Sequence, residues 1–432
     1  MPRQAPRVLR IFVDVNADEV RRLLLAFAYF FCLLSSYYMI RPVRETVGTA
    51  GGVRHLSWLF TGTFVAMLVA VPLFGAIVAR LSRRVFVPLV YHFFITNIAL
   101  FALLIHLHVA ETRVAQVFFV WTSVFNLFVV SVFWSVMADL FRSEQGKRLY
   151  GFIAAGGTIG MLASSWFTSA YATSLGTAGL LALSAVLLGV ASLCAIRLLA
   201  RPVDEPVEEP AAAASPTPTP VIGGGILAGV VRVARSPYLL GICAYILCLT
   251  VTATFVYFQQ AEIVKAAFTD RNEKTSFFAL INLLVGLFTV LMQLMVTGRL
   301  LRWLSLATML ATLPLIVGAG LIGLAAAPVL WVLVAFQSLR RSTNYGLTRP
   351  AREVLFTVVD REDKYKSKNV IDTVVYRGGD MVGGWAFSGM AALGLGLSMI
   401  AITAVPIAAF WLGIGIFLGR QQERLAGSTT PH

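Results

Sequence analysis

The chain has 432 residues, of which 58% are hydrophobic and 13% charged, with a mean hydropathy of +0.80. Water-soluble domains run at roughly 45–50% apolar and about 25% charged, so this composition excludes an ordinary soluble fold and calls for surface that faces lipid. The net charge of +14 could suggest a nucleic-acid partner, but the placement of the cations along the chain argues against one.

A helix that spans the hydrocarbon needs about 20 residues of low charge. Runs of this kind lie at 23–40, 56–79, 86–108, 115–138, 149–172 and 177–199, and again at 238–258, 276–297, 303–325, 328–345, 370–393 and 396–418. The pattern predicts an all-α polytopic membrane protein of about 12 transmembrane helices, since helices satisfy their own backbone in lipid. Residues 201–225 interrupt it with Asp204, Glu205, Glu208 and Glu209, then Pro, Ala, Ser and Thr, then Gly223, Gly224 and Gly225. Such a stretch cannot bury an apolar face and reads as a linker. It separates a six-helix bundle at 1–200 from a second at 226–432. Arg80-Leu81-Ser82-Arg83 after the second run and Arg299-Leu300-Leu301-Arg302 after the eighth suggest pseudo-symmetric halves. Paired halves are a recurrent transporter plan, with the substrate held near mid-membrane between them.

With the N-terminus in the cytoplasm, most of the 35 Lys and Arg fall on the cytoplasmic side. They include Arg3, Arg7, Arg10, Arg21 and Arg22, then Arg80, Arg83 and Arg84, then Arg142, Lys147 and Arg148, and the cations between Arg340 and Lys368. This positive-inside bias predicts a multi-pass protein of a bacterial inner membrane with both termini cytoplasmic. Basic loops beside anionic lipid need no nucleic acid. Cys32, Cys194, Cys243 and Cys248 all lie in apolar runs, without disulfide or metal spacing. The first apolar run is too long for a cleavable signal and reads as a span.

A charge inside the hydrocarbon is costly unless it faces a cavity or a partner, so such residues are functional candidates. Arg41, Arg44 and Glu45 follow Tyr37 and Tyr38 at the end of the first run. Arg41 and Arg44 share a helix face, Pro42 is placed to kink or end that helix, and two guanidiniums beside two phenols suit a phosphate or carboxylate. Asp139 after Phe133-Trp134 suits a salt-bridged cytoplasmic loop. Gly156 and Gly160, four apart on an apolar helix, suit close helix packing. Thr252, Thr254, Tyr257, Gln259 and Gln260 are polar residues in or beside the seventh run, with Gln259 deep enough to line a cavity. Asn344 to Asn369 reads as a solvated loop, part of it an amphipathic helix on the membrane. Arg377 and Asp380 are three apart inside a glycine-rich run. The histidines have no carboxylate at ligand spacing, and no Ser-His-Asp, zinc or phosphate-loop signature appears. No cofactor or enzyme activity is therefore expected.

Gly75, Arg80, Arg83 and Arg84 resemble the loop between helices two and three of the major facilitator superfamily, with Ala79 and Ser82 in place of that loop's Asp and Gly. Ile40-Arg41-Pro42-Val43-Arg44-Glu45 resembles the end of helix one in the ATP/ADP translocases, nucleotide transporters related to major facilitators. Phe133-Trp134, Lys147 to Gly160, Tyr345-Gly346, Arg352 to Phe356, Lys366 to Lys368 and Asp372 to Val375 are similar to further segments of that family. The resemblance implies a basic residue in helix one at Arg44. It implies an acidic residue in helix four, where Thr122 stands with Asn126 one turn on, and another in helix seven, where Gln259 is nearest. It implies a lysine in helix eleven, where Asp380 stands with Arg377 just before it. Fold and transport role carry over; strict ATP-for-ADP exchange does not.

The combined expectation is an alternating-access carrier of a nucleotide or other anionic, phosphorylated metabolite. Tyr37, Tyr38, Arg41, Arg44, Glu45, Thr122, Asn126, Gln259, Arg377 and Asp380 would form its substrate site. Arg80, Arg83, Arg84 and Asp139 would form its cytoplasmic loop. A proton-coupled carrier or exporter of an unrelated, lipid-like solute is the alternative within transport, and a membrane-embedded enzyme or receptor the alternative outside it. The sequence leaves the oligomeric state open.

Overall fold

The computed structural model describes residues 15–16, 19–141, 143–200, 233–293, 304–359, 367–368 and 370–428, without the side chains at 78–79, 143–144, 146–147 and 427–428. The linker at 201–225 lies outside them, as do Arg142 and residues 360–366. The described residues are helical almost throughout. The first four helices are α1 (Val20–Ala50), α2 (Gly52–Arg80), α3 (Arg83–His106) and α4 (Glu111–Leu140). The next run, Ser143–Leu199, is broken at Gly176, whose φ of 64° and ψ of 175° no helix contains. A residue without a Cβ adopts this conformation at little steric cost. The run is therefore two helices, α5 at 143–175 and α6 at 177–199. The second half of the chain adds α7 (Pro237–Ala267), α8 (Arg271–Met292), α9 (Leu306–Ala326), α10 (Leu330–Thr343), α11 (Tyr376–Ala392) and α12 (Leu397–Ser428).

Among the described residues, nine helical runs are long and apolar enough to cross a membrane, the Arg148–Leu199 run counting once. Helices α10 and α11, of 14 and 17 residues, fall short on their own. Each adjoins one turn of π-helix, Asn344–Thr348 after α10 and Ile371–Val375 before α11. Helical structure then continues from Arg349–Leu355 into Phe356–Val358.

Two expectations change here. Residues 344–358 are not a solvated loop, because Gly346, Leu347, Thr348, Ala351, Leu355 and Phe356 are buried; only Arg349, Arg352 and Glu353 among them are charged, and the charge run that dominates the Asn344–Asn369 stretch begins at Asp360. Pro42 does not end α1, which runs on to Ala50. The Pro42 carbonyl accepts a hydrogen bond from the Thr46 hydroxyl at 3.0 Å, while the carbonyl freed by the missing proline N–H is that of Tyr38, four residues earlier.

The chain divides into two compact units. Unit 1 takes the described residues of Met1–Val47, Val69–Ala214 and Asp270–Leu283; unit 2 takes those of Gly48–Leu68, Ser215–Thr269 and Leu284–His432. In unit 1, Gly156, Gly157 and Gly160 of α5 lie against Phe27, Phe30 and Phe31 of α1. Ser35 donates to the Gly160 carbonyl at 3.2 Å, and Ser36 bonds Ser184 of α6 at 2.7 Å. Tyr29 and Tyr91 hydrogen-bond through their hydroxyls, joining α1 to α3. Small residues at such contacts let backbones approach closely where lipid supplies no hydrophobic drive. In unit 2, α12 packs on α9 at Gly419 and Ala307, and Tyr245 of α7 donates to the Leu310 carbonyl of α9 at 2.9 Å.

A Cβ at Gly160 would collide with the Phe31 carbonyl, whereas one at Gly151 meets nothing within 4 Å. Gly160→Leu is expected to destabilise unit 1 by about 1–3 kcal/mol, in the range for overpacking, and Gly151→Ala to leave it unchanged. Thermal unfolding of the two detergent-purified variants checks this, with the main transition lowered only for Gly160→Leu.

Candidate functional site

Unit 1 carries the first polar cluster. Tyr37, Tyr38, Arg41, Arg44 and Glu45 fall within two turns of α1, where residues three and four apart are neighbours. The Arg44 Nε donates to the Phe119 carbonyl of α4 at 3.1 Å, and its guanidinium lies 3.8 Å from the centroid of the Phe119 ring. A desolvated contact of this kind contributes up to about 2 kcal/mol. The two terminal nitrogens of Arg44 have no protein partner among the described residues. Arg41 sits 3.6 Å from a Glu45 oxygen and 5.6 Å from the Tyr38 ring centroid. The other Glu45 oxygen is buried without a partner.

Tyr37 packs edge-on to Tyr38 at 5.1 Å and faces Phe125 of α4 at 6.5 Å. The Thr122 hydroxyl is buried and donates to the Phe118 carbonyl at 2.7 Å, within its own helix. Asn126 is half-buried and has no protein partner among the described residues. The α1 cluster thus faces α4, and Phe119, which no sequence pattern marked, supports its central cation.

Unit 2 carries the second cluster. Gly379 and Gly383 let α11 approach α7 so closely that a Cβ at either would strike Thr250, Val251 or Thr254. This approach brings Asp380 to Thr254, which donates to it at 3.4 Å. Arg377 holds the other Asp380 oxygen at 3.4 Å and lies 5.7 Å from the Tyr376 ring centroid. Gln259 is fully buried and is not part of this pair: its Nε2 reaches the Leu397 carbonyl at 3.5 Å, and its Oε1 has no partner.

Its neighbour Gln260 makes a connection that the sequence did not announce. Gln260 accepts from Gln337 of α10 at 2.5 Å. Gln337 in turn accepts from the Arg340 Nε and Nη2 at 3.2 and 2.7 Å. This chain of hydrogen bonds links the Arg340 guanidinium to α7 through two buried amides.

At the end of α2, Arg80 is exposed, as is Arg84. Arg83 pairs with Asp139 at 2.9 Å, joining the start of α3 to the end of α4. Arg148 pairs with Glu19 at 3.2 Å. Asp139 therefore ties two helix ends together.

The family model described as the Major Facilitator Superfamily matches residues 20–351. The chain belongs to this superfamily. As a major facilitator it is a multi-pass membrane protein of a transporter family. Its similarity to ADP,ATP carrier protein 1 of Chlamydia muridarum, strain MoPn / Nigg, is 24% identity over 94% of this chain and 89% of the relative. The protein of the same name from Chlamydia trachomatis serovar D is similar at the same identity and coverage. The resemblance to ATP/ADP translocases thus extends along nearly the whole chain. The fold is shared with the crystal structure of nucleoside transporter NupG, at a TM-score of 0.62 and 12% identity, covering 94% of this chain and 98% of that one. It is shared also with the D-xylose-proton symporter, at 0.58 and 16%, covering 91% and 97%.

In this major facilitator Gln337 is almost fully buried, so its loss strands Gln260 and deprives Arg340 of an acceptor. A buried polar group left unsatisfied costs about 1–3 kcal/mol. Gln337→Leu is expected to lower the unfolding transition accordingly, and Gln337→Glu, which keeps an acceptor for Arg340, to lower it less. Unfolding of the two purified variants checks the order.

Proposed function

We propose that this chain carries a nucleotide or another phosphorylated, anionic metabolite across a bacterial inner membrane by alternating access, with both termini cytoplasmic and two helical halves joined by the 201–225 linker. The observation that carries the reading is Arg44. Its Nε is fixed by the Phe119 carbonyl and its plane by the Phe119 ring, while its terminal nitrogens have no protein partner among the described residues. A guanidinium so oriented offers donors matched to phosphate or carboxylate oxygens. Arg377 supports the reading from unit 2, since the described residues give it one carboxylate, Asp380, at the long distance of 3.4 Å.

The similarity to proteins named ADP,ATP carriers supports a nucleotide among the cargoes. The departures narrow what carries over. Where the resemblance implies carboxylates in helices four and seven, Thr122 and Gln259 stand. The polar clusters thus keep Arg41, Arg44 and Arg377 against Glu45 and Asp380, a balance that favours an anion. Tyr37 and Tyr38 supply ring faces for stacking, and Asn126 an amide for hydrogen bonding. Cargo that binds one state better than the other shifts their populations, which is all that switching requires.

Exchange of labelled ATP, ADP and simpler phosphate esters into liposomes checks this. Arg44→Ala and Arg377→Ala are each expected to reduce exchange at least tenfold, the size expected from losing one charge-assisted contact of about 1.5–3 kcal/mol. Arg84→Ala, at an exposed position in the first turn of α3, should retain it. Unchanged exchange in both variants, or none for any anion with the wild-type protein, contradicts the reading.

A proton-driven carrier is a second reading, favoured by the buried, unpartnered Glu45 oxygen. Under it, uptake collapses when the pH gradient is dissipated and Glu45→Gln uncouples it; under the first, exchange survives without a gradient.

A further inference from the structure

Four buried polar atoms without partners lie along one stretch of unit 2: Asn344 Oδ1, Thr348 Oγ1, and Arg352 Nε and Nη1. The three residues are four apart in sequence, so they stack on one face, spanning about 12 Å of helix. None takes part in an ion pair or hydrogen bond elsewhere among the described residues. Thr348 is completely enclosed, and Leu347, Ala351, Leu355 and Phe356 beside it are buried. An apolar setting makes unmet donors and acceptors costly, and an uncompensated guanidinium most of all.

The nearby carboxylates leave Arg352 unanswered. Glu353 is held by Lys368 at 2.5 Å. Asp372 lies within electrostatic reach of Lys368, Arg352 and Arg349, yet it is exposed and makes no ion pair with Arg352 among the described residues. Asn344 and Thr348 begin and end the π turn 344–348, and Asp372 lies in the π turn 371–375. Single π turns inside helices are frequent at functional sites; here they are places where backbone can yield and admit a ligand.

We propose that Asn344, Thr348 and Arg352 form an anion-binding subsite within unit 2, distinct from Arg377–Asp380. Arg352 and the Thr348 hydroxyl donate to phosphate or carboxylate oxygens. Asn344 Oδ1 accepts from a hydroxyl or amino group on the same molecule. The ligand class is therefore a small phosphorylated or carboxylated metabolite that also carries a donor. The inference rests on the reading that the cargo is anionic, and it names a part of the protein that reading does not use.

The test is thermal unfolding of the full-length protein in detergent, titrated with inorganic phosphate and, separately, with succinate. One of the two should raise the unfolding temperature saturably, and which one does separates a phosphoryl from a carboxylate ligand. Arg352→Gln should need at least tenfold more of that anion for the same shift, Arg352→Lys an intermediate amount, and Thr348→Val several-fold more. Arg84→Ala, exposed and outside both polar clusters, should respond like wild type. Thr348→Val keeps the charge in place and decides the matter if Arg352→Gln fails to fold. The proposal is overturned if neither anion stabilises the wild type, or if Arg352→Gln and Thr348→Val both respond like wild type. It is also overturned if phosphatidylglycerol nanodiscs stabilise the protein where phosphate does not, which would assign these groups to a lipid headgroup. Loss of this response while liposome exchange still depends on Arg44 and Arg377 sinks the subsite alone; loss of both sinks the anionic-cargo reading too.

Discussion

A bilayer interior has no water to solvate a charge, and a cation placed at its centre costs roughly 2.5–3.5 kcal/mol even on insertion scales. Each guanidinium in these spans must therefore have its position explained by a partner, a route to water or a ligand. Arg44 shows how a partial explanation becomes informative. The Phe119 carbonyl and ring fix its near side, which sets the direction of the far side without neutralising it. A structural ion pair would have closed on both sides. Arg41 beside Glu45 and Tyr38, Arg377 beside Asp380 and Tyr376, and Arg340 on the Gln337 amide oxygen are other guanidiniums of this chain held by named protein groups.

The scaffold follows from a second constraint of the same solvent. Lipid gives apolar faces no reason to associate, so helices meet where small residues allow close approach and where hydroxyls and amides find each other. Gly156, Gly157 and Gly160 do this for α5 on α1, and Gly379 and Gly383 for α11 on α7. The second contact is also what brings Asp380 to Thr254, so helix packing and the polar cluster of unit 2 are one feature. The π turns beside α10 and α11 lie in the same unit, next to its unpartnered Asn344, Thr348 and Arg352.

The sequence revealed what burial in lipid makes conspicuous. Long apolar runs gave the all-α membrane fold, and charges within them pointed to Arg41, Arg44, Arg377 and Asp380. The glycines of α5 were readable as packing because no phosphate-loop context surrounded them. What stayed hidden depends on which helix faces which. Phe119 is one phenylalanine among 30, and nothing local distinguishes it from those facing lipid. Gln260 and Gln337 are 77 residues apart, and each helix carries several other polar side chains, so no pattern within either marks these two as partners. Residues 344–358 differ from the expected loop because the charge run from Asp360 to Lys368 dominates the stretch that contains them and masks the helical spacing of Leu347, Ala351 and Leu355. Depth along the span barely separates Gln259 from its neighbour Gln260; azimuth does, since successive residues point about 100° apart around a helix, and which neighbour each meets is not written locally.

The central claim is that guanidinium groups inside these spans reach water and accept an anion. Phenylglyoxal, which modifies accessible arginines, tests it directly when applied to the protein in liposomes and followed by peptide mass mapping. The account predicts that Arg44 and Arg377 are modified, and that ATP or phosphate at saturating concentration protects them while the exposed Arg84 stays reactive. Arg44 and Arg377 that remain unmodified under conditions that label Arg84, or that are labelled equally with and without anion, would contradict it.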